Sequence, residues 1–145
     1  MTINKLCWAF AVYILVAFVW SQNAKAETNV FVGAWSKHIG SGDYNERHDL
    51  VAVEHNNVVA GYFRNSYNED SFALAYDIDY SYGPLRAGVM AGAVYGYRHC
   101  LKGWADSDRK TCPMIAPYAS FDMGPVSPTV LLLGNALAVT FRVEL

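Results

Sequence analysis

The chain predicts an all-β fold: an eight-stranded antiparallel up-and-down transmembrane β-barrel. Three observations carry the prediction. Apolar residues alternate with small or polar ones in short runs along residues 27–145. Turn-forming clusters such as Asn56-Asn57, Ser81-Tyr82-Gly83-Pro84, Met123-Gly124-Pro125 and Gly134-Asn135 separate those runs. The clearest runs keep one face wholly apolar and the other small or charged, which suits a wall between lipid and a polar interior. In residues 71–80, Phe72, Leu74, Tyr76, Ile78 and Tyr80 alternate with Ser71, Ala73, Ala75, Asp77 and Asp79.

The start of the chain stands apart. Lys5 precedes the apolar run Leu6 to Trp20, and Ala24-Lys25-Ala26 supplies a small-x-small cleavage site. Together they predict a secretory signal peptide over 1–26 and a single barrel domain over 27–145. The apolar run is shorter than the roughly 20 residues of a spanning helix. Cleavage removes Lys5 and Lys25 from the eleven basic residues, leaving nine against thirteen acidic ones. That balance offers no basic footprint for nucleic acid. Of the three cysteines, Cys7 leaves with the signal, and Cys100 and Cys112 remain for one disulfide in an exported chain.

In order, Asn29–His38 is a β-branched and aromatic strand ended by Gly40-Ser41-Gly42-Asp43, and His48–His55 is the second. Val58–Ser66 and Ser71–Tyr80 form a hairpin around the polar tip Tyr67-Asn68-Glu69-Asp70. Strand five, Leu85–His99, places Leu85, Ala87, Val89, Ala91, Ala93, Tyr95 and Tyr97 on one face. Pro113–Asp122, Val126–Leu133 and Ala136–Leu145 complete eight. Strands of about 9–11 residues joined as hairpins make the smallest common transmembrane barrel, with short turns at the periplasmic end. The joins after strands two, four and six are short; the equally short join after strand seven breaks the rule. A soluble ligand-carrying barrel would turn the apolar face inward. The last strand, alternating to an apolar end at Leu145, favours the outer membrane.

Register gives further expectations. Pairing Ser66 with Ser71 sets Phe63 opposite Leu74 on the lipid side and sends Arg64, Ser66, Asp77 and Asp79 inward. Pairing Tyr80 with Leu85 puts Asp79 beside Arg86, and the same counting sets Asp49 opposite Arg64. Gly88, Gly92 and Gly96 leave lumen space for an acyl chain or relieve crowding in a tightly curved wall.

Up-and-down order gathers His38, Tyr44, Asn45, Glu46, Arg47, Asn65 and Ser66 at the outer rim. A hydroxyl becomes reactive, or positions an acyl carbonyl, when a histidine lies within hydrogen-bond reach, so His38 with Ser66 is a candidate pair. Polar rim residues are also what water alone would select. His48, His55 and His99 lack metal-ligand spacing and read as rim or interface histidines; neither a metal nor a cofactor is expected.

Asp43-Tyr44-Asn45-Glu46-Arg47, Phe63-Arg64-Asn65-Ser66-Tyr67-Asn68, Pro113-Met114-Ile115-Ala116-Pro117-Tyr118-Ala119-Ser120 and Gly124-Pro125-Val126 resemble, in order, segments of the outer-membrane lipid A palmitoyltransferase family. The resemblance implies transfer of a palmitoyl chain from phospholipid to lipid A in the outer membrane of a Gram-negative bacterium. It puts the family's catalytic histidine at His38, with Ser36 a competing match, its serine at Ser66 and its aspartate at Asn65. It also implies substrate contacts from Tyr44 to Arg47. Lateral lipid entry would pass where Pro113, Pro117, Pro125 and Pro128 weaken strand pairing. The rival expectation is a noncatalytic surface barrel that kept the scaffold and lost the reaction.

Overall fold

A computed structural model describes residues 27–97 and 111–145. The expected signal peptide and Cys100, with the disulfide expected of it, lie outside the described residues. The eight strands are β1 (Thr28–His38), β2 (Val51–His55), β3 (Val58–Arg64), β4 (Asp70–Tyr82), β5 (Leu85–Tyr95), β6 (Thr111–Phe121), β7 (Val126–Leu133) and β8 (Ala136–Glu144). Each pairs antiparallel with the next, and β1 with β8, so the sheet closes as a barrel in chain order. Closure gives every strand a neighbour on both sides.

Local alternation is obeyed where the strands are regular. In β4, Phe72, Leu74, Tyr76, Ile78 and Tyr80 face out and are exposed, whereas Ser71 and Asp77 are fully buried inside. The interior divides along its length. Near the termini it is a polar plug in which the Arg142 guanidinium meets Glu54 at 2.8 Å, Asn29 donates to Glu54, and the Tyr118 hydroxyl donates to Asp77 at 2.7 Å. Arg86 pairs with Asp79 as expected. Toward the other end Phe63, Val94, Leu131 and Leu133 make the lumen apolar.

Register departs from expectation in two instructive ways. On β3 and β4, Phe63 lies opposite Ser71 rather than Leu74, a difference of three residues. An odd slip reverses faces: Phe63 and Val59 are buried inside, and Arg64 points out to Asp70 instead of meeting Asp49. On β4 and β5, Leu85 lies opposite Tyr82 rather than Tyr80. That even slip preserves faces, and so the Asp79–Arg86 pair survives diagonally. β2 begins at Val51 rather than His48, because Asp49 adopts a left-handed φ of 44° that interrupts the ladder.

The decisive irregularity is in β1. Phe31 lies opposite Arg142 and Val32 opposite Phe141, then the register shifts past Gly33 so that Ala34 pairs with Thr140 and Ser36 with Ala138. Gly33 has φ +61°, the left-handed conformation of a glycine bulge. Interior positions are therefore Asn29 and Phe31 before the bulge, and Ala34, Ser36 and His38 after it. Without the extra residue, Ser36 and His38 would face outward. A Gly33 Cβ would meet the Trp35 ring at 3.0 Å, and the backbone itself disfavours any side chain by about 1–3 kcal/mol. Gly33→Val is expected to lower barrel stability by that order, read as an earlier urea midpoint of Trp fluorescence in detergent micelles.

Strand five's glycines resolve toward crowding. At Gly92 a Cβ would stand 2.1 Å from the Leu74 carbonyl oxygen and 2.6 Å from the Ala75 Cα, so β4 and β5 could not approach as they do.

Candidate functional site

Ser66 follows the end of β3. Asn65 closes the strand, and its side chain is wholly engaged by the tip that follows. Asn65 Oδ1 accepts from the Tyr67 and Glu69 N–H groups, while Nδ2 donates to Ser71 Oγ and to the Gly96 carbonyl. Asn65 is fully buried. A carboxylate here would face a carbonyl oxygen with no proton to offer, which gives asparagine a structural reason at the position where the family resemblance implies aspartate. Its amide touches the tip and not His38.

The tip turns Ser66 toward the lumen side of the rim, where its Oγ lies 2.8 Å from His38 Nε2. Tyr97 lines the same cleft beside Ser66, and burial pushes the Tyr97 phenol up to about 12. Strand alternation puts Tyr97 on the outer face of strand five. Gly96, at φ +114°, ends the alternation and turns Tyr97 inward. Tyr44 stacks on His38 with ring centroids 4.2 Å apart. Tyr67 stands edge-on to both Tyr44 and Tyr97, at 6.2 Å from each. Three tyrosines thus surround the Ser66–His38 contact.

The remaining rim residues separate. Asn45 accepts from the Arg47 N–H and donates to the Asn65 carbonyl, and its own N–H donates to the Ser66 carbonyl. Asn45 therefore braces the loop under Ser66. Glu46 pairs with Lys37 and Arg47 with Asp49, both on the exposed outside. The Lys37 hydrogen bond holds the Glu46 carboxyl below its ordinary value.

His48, read from the sequence as a rim or interface histidine, has Nε2 2.6 Å from the Ser36 hydroxyl and Nδ1 2.7 Å from the Arg64 carbonyl. Both Ser36 and His48 are buried. Only the β1 bulge, unseen in the alternation pattern, turns Ser36 inward to meet it. His55, by contrast, lies at the opposite end beside Thr28, and His99 is outside the described residues. No cluster of three metal-ligating side chains occurs among the described residues.

Three spaces converge on Ser66. A cavity of about 80 Å³ inside the barrel is lined by Ser36, His48, Leu50, Phe63, Leu131 and Leu133 beside Ser66 and Tyr97. A cleft of about 310 Å³ joins His38, Ser66 and Tyr97 to Pro113 and Leu133 at the outer ends of β6 and β7. A basin above is framed by Asp43, Tyr44, Asn45 and Tyr67.

The cleft reaches the wall where pairing is thinnest. β6 and β7 pair only through Tyr118–Leu131, Ala119–Val130 and Ser120–Thr129. The Asp122 N–H donates toward the β4–β5 turn and the Glu144 N–H donates to the Pro125 carbonyl. In an antiparallel ladder successive residues bond to opposite neighbours. It follows that odd-numbered β6 residues and even-numbered β7 residues bond across the β6–β7 seam. Pro113, Pro117 and Pro128 all have that parity, so each removes a donor from this one seam. Pro117 and Pro128 bracket the three surviving pairs. Pro125 lies in the β6–β7 turn and bonds β8 instead.

Fold and site together define a small closed antiparallel β-barrel with a serine–histidine contact at one rim, above an apolar cavity and beside a proline-weakened seam. No family model matches the chain, and none of the curated proteins matches it.

Proposed function

We propose that the protein is an outer-membrane acyltransferase of the lipid A palmitoyltransferase type, moving a fatty acyl chain from phospholipid to lipid A. The observation that carries this reading is the convergence on Ser66 of an apolar interior cavity, a side cleft at the weak β6–β7 seam and an open rim basin. A lipid donor needs all three: an apolar seat for the start of its chain, a sideways entrance, and a polar rim for the head group. The exposed band of Phe72, Leu74, Tyr76 and Ile78 on β4, with Leu137 and Val139 on β8, suits lipid contact.

His38 Nε2 would take the proton from the attacking lipid A hydroxyl. The Ser66 and Tyr97 hydroxyls would hold the acyl carbonyl oxygen as it becomes negative. The new ester bond forms, the phospholipid ester C–O bond breaks, and His38 returns its proton to the departing alkoxide. No cofactor is needed.

The second reading is a noncatalytic surface barrel. It is favoured by His38 Nδ1, which is buried with no hydrogen-bond partner among the described residues. Nothing described there fixes the tautomer that would make Nε2 the base.

Expression in a Gram-negative host lacking its own palmitoyltransferase, followed by mass spectrometry of lipid A, separates the two. The enzyme adds one acyl chain. An unchanged lipid A mass in cells whose membrane fraction carries the heat-modifiable folded barrel leaves the noncatalytic reading.

A further inference from the structure

The rim holds a second serine–histidine pair, and it is the better-oriented of the two. Ser36 Oγ and His48 Nε2 are 2.6 Å apart, and His48 Nδ1 lies 2.7 Å from the Arg64 carbonyl. A carbonyl oxygen can only accept, so Nδ1 carries the proton. In the neutral imidazole Nε2 is then the free base, and the Ser36 O–H donates to it. This tautomer control is what an orienting third group provides in nucleophilic catalysis.

The backbone holds His48 as firmly. Its N–H donates to the Ala34 carbonyl, and its carbonyl accepts from the Arg64 N–H, so β1 and β3 grip it from either side. The Ser36 N–H is engaged by the Glu46 carbonyl. Both side chains line the cavity of about 80 Å³, whose other walls include the apolar Leu50, Phe63 and Leu131. Two polar side chains bridging strands would by themselves be a structural clasp; their position on the wall of an apolar cavity also gives an apolar ester group access to them.

We propose that Ser36 is a nucleophile, activated by His48 and positioned through the Arg64 carbonyl, that attacks carboxylic esters of apolar acyl chains held in this cavity. Ser36 Oγ bonds to the ester carbonyl carbon as its proton passes to His48 Nε2. The ester C–O bond then breaks, and the departing alkoxide takes that proton, leaving an acyl-Ser36 ester. Water then adds to the ester carbonyl as its proton passes to His48 Nε2, the Ser36 Oγ–acyl bond breaks, Ser36 Oγ takes that proton back, and the fatty acid is released. This chemistry goes beyond transfer at Ser66, which forms no covalent intermediate.

The test is reaction of the full chain, folded in detergent micelles, with an alkyl fluorophosphonate, followed by proteolysis and mass spectrometry of the peptides. The expected adduct is on Ser36 and forms at least about a hundredfold more slowly in His48→Gln. A folded, heat-modifiable barrel without a Ser36 adduct overturns the proposal. So does an adduct confined to Ser66, or a rate unchanged by His48→Gln. A clasp alone would leave no covalent mark, and lipid A acylation is read independently of this label.

Discussion

On the proposed function, replacing Ser66 with alanine is expected to slow acyl transfer to lipid A by about 10²–10³-fold, the usual effect of removing one donor to a developing oxyanion. The folded barrel should remain, because the Asn65 clip, and not the Ser66 side chain, closes the tip. His38→Ala should lose about 10²–10⁴-fold as a general base. Groups acting as one unit are not additive, so the double variant should fall little below the worse single one. Initial rates with a labelled phospholipid donor and purified lipid A in mixed micelles check this. Multiplicative losses in the double variant would show that the two side chains act separately, despite their 2.8 Å contact.

The largest stability effect belongs to the opposite end of the barrel. Glu54 and Arg142 meet at 2.8 Å with side chains 3% and 6% exposed. Asn29 donates to the same carboxylate, and the guanidinium lies over the Phe31 ring. Glu54→Leu strands the Arg142 charge in the lumen, and breaking such a pair by removing one partner costs about 3–5 kcal/mol. Glu54→Leu with Arg142→Met removes both charges and should recover most of that loss, since replacing a whole buried pair by apolar groups is often neutral. Urea titration of the barrel in lipid vesicles, followed by Trp fluorescence, measures both. Equal destabilisation in the single and double variants would mean that packing around Phe31, rather than the stranded charge, sets the effect.

The expected strand order and most outward faces agree with the structure because they rest on local facts. Side chains alternate with a period of two whatever the neighbouring strand does. The faces of β4 and of β5 up to Tyr95 could therefore be read from apolar spacing, and Asn56-Asn57 and Gly134-Asn135 mark the β2–β3 and β7–β8 turns by composition. His38 with Ser66 was legible from strand order, which carries the end of β1 and the tip after β3 to the same rim.

Register was not legible, because it is fixed by the partner strand. The three-residue difference between β3 and β4 turned Phe63 and Val59 from the outer face into the core, and put Arg64 outside. Ser66 reaches the lumen side through the turn that Asn65 clips, and not through strand alternation. Tyr97 and His48 stand at the site for related reasons: Gly96 ends the strand alternation just before Tyr97, and the Gly33 bulge turns inward the Ser36 that meets His48.

By itself, then, the sequence determined an antiparallel barrel of eight strands with an apolar outside, since alternation and turn chemistry act within a few residues. Only the tertiary structure decided which polar side chains meet. One extra residue at Gly33 exchanges the faces of everything beyond it, and whether Ser36 and His38 look into the lumen depends on how β1 is paired with β8.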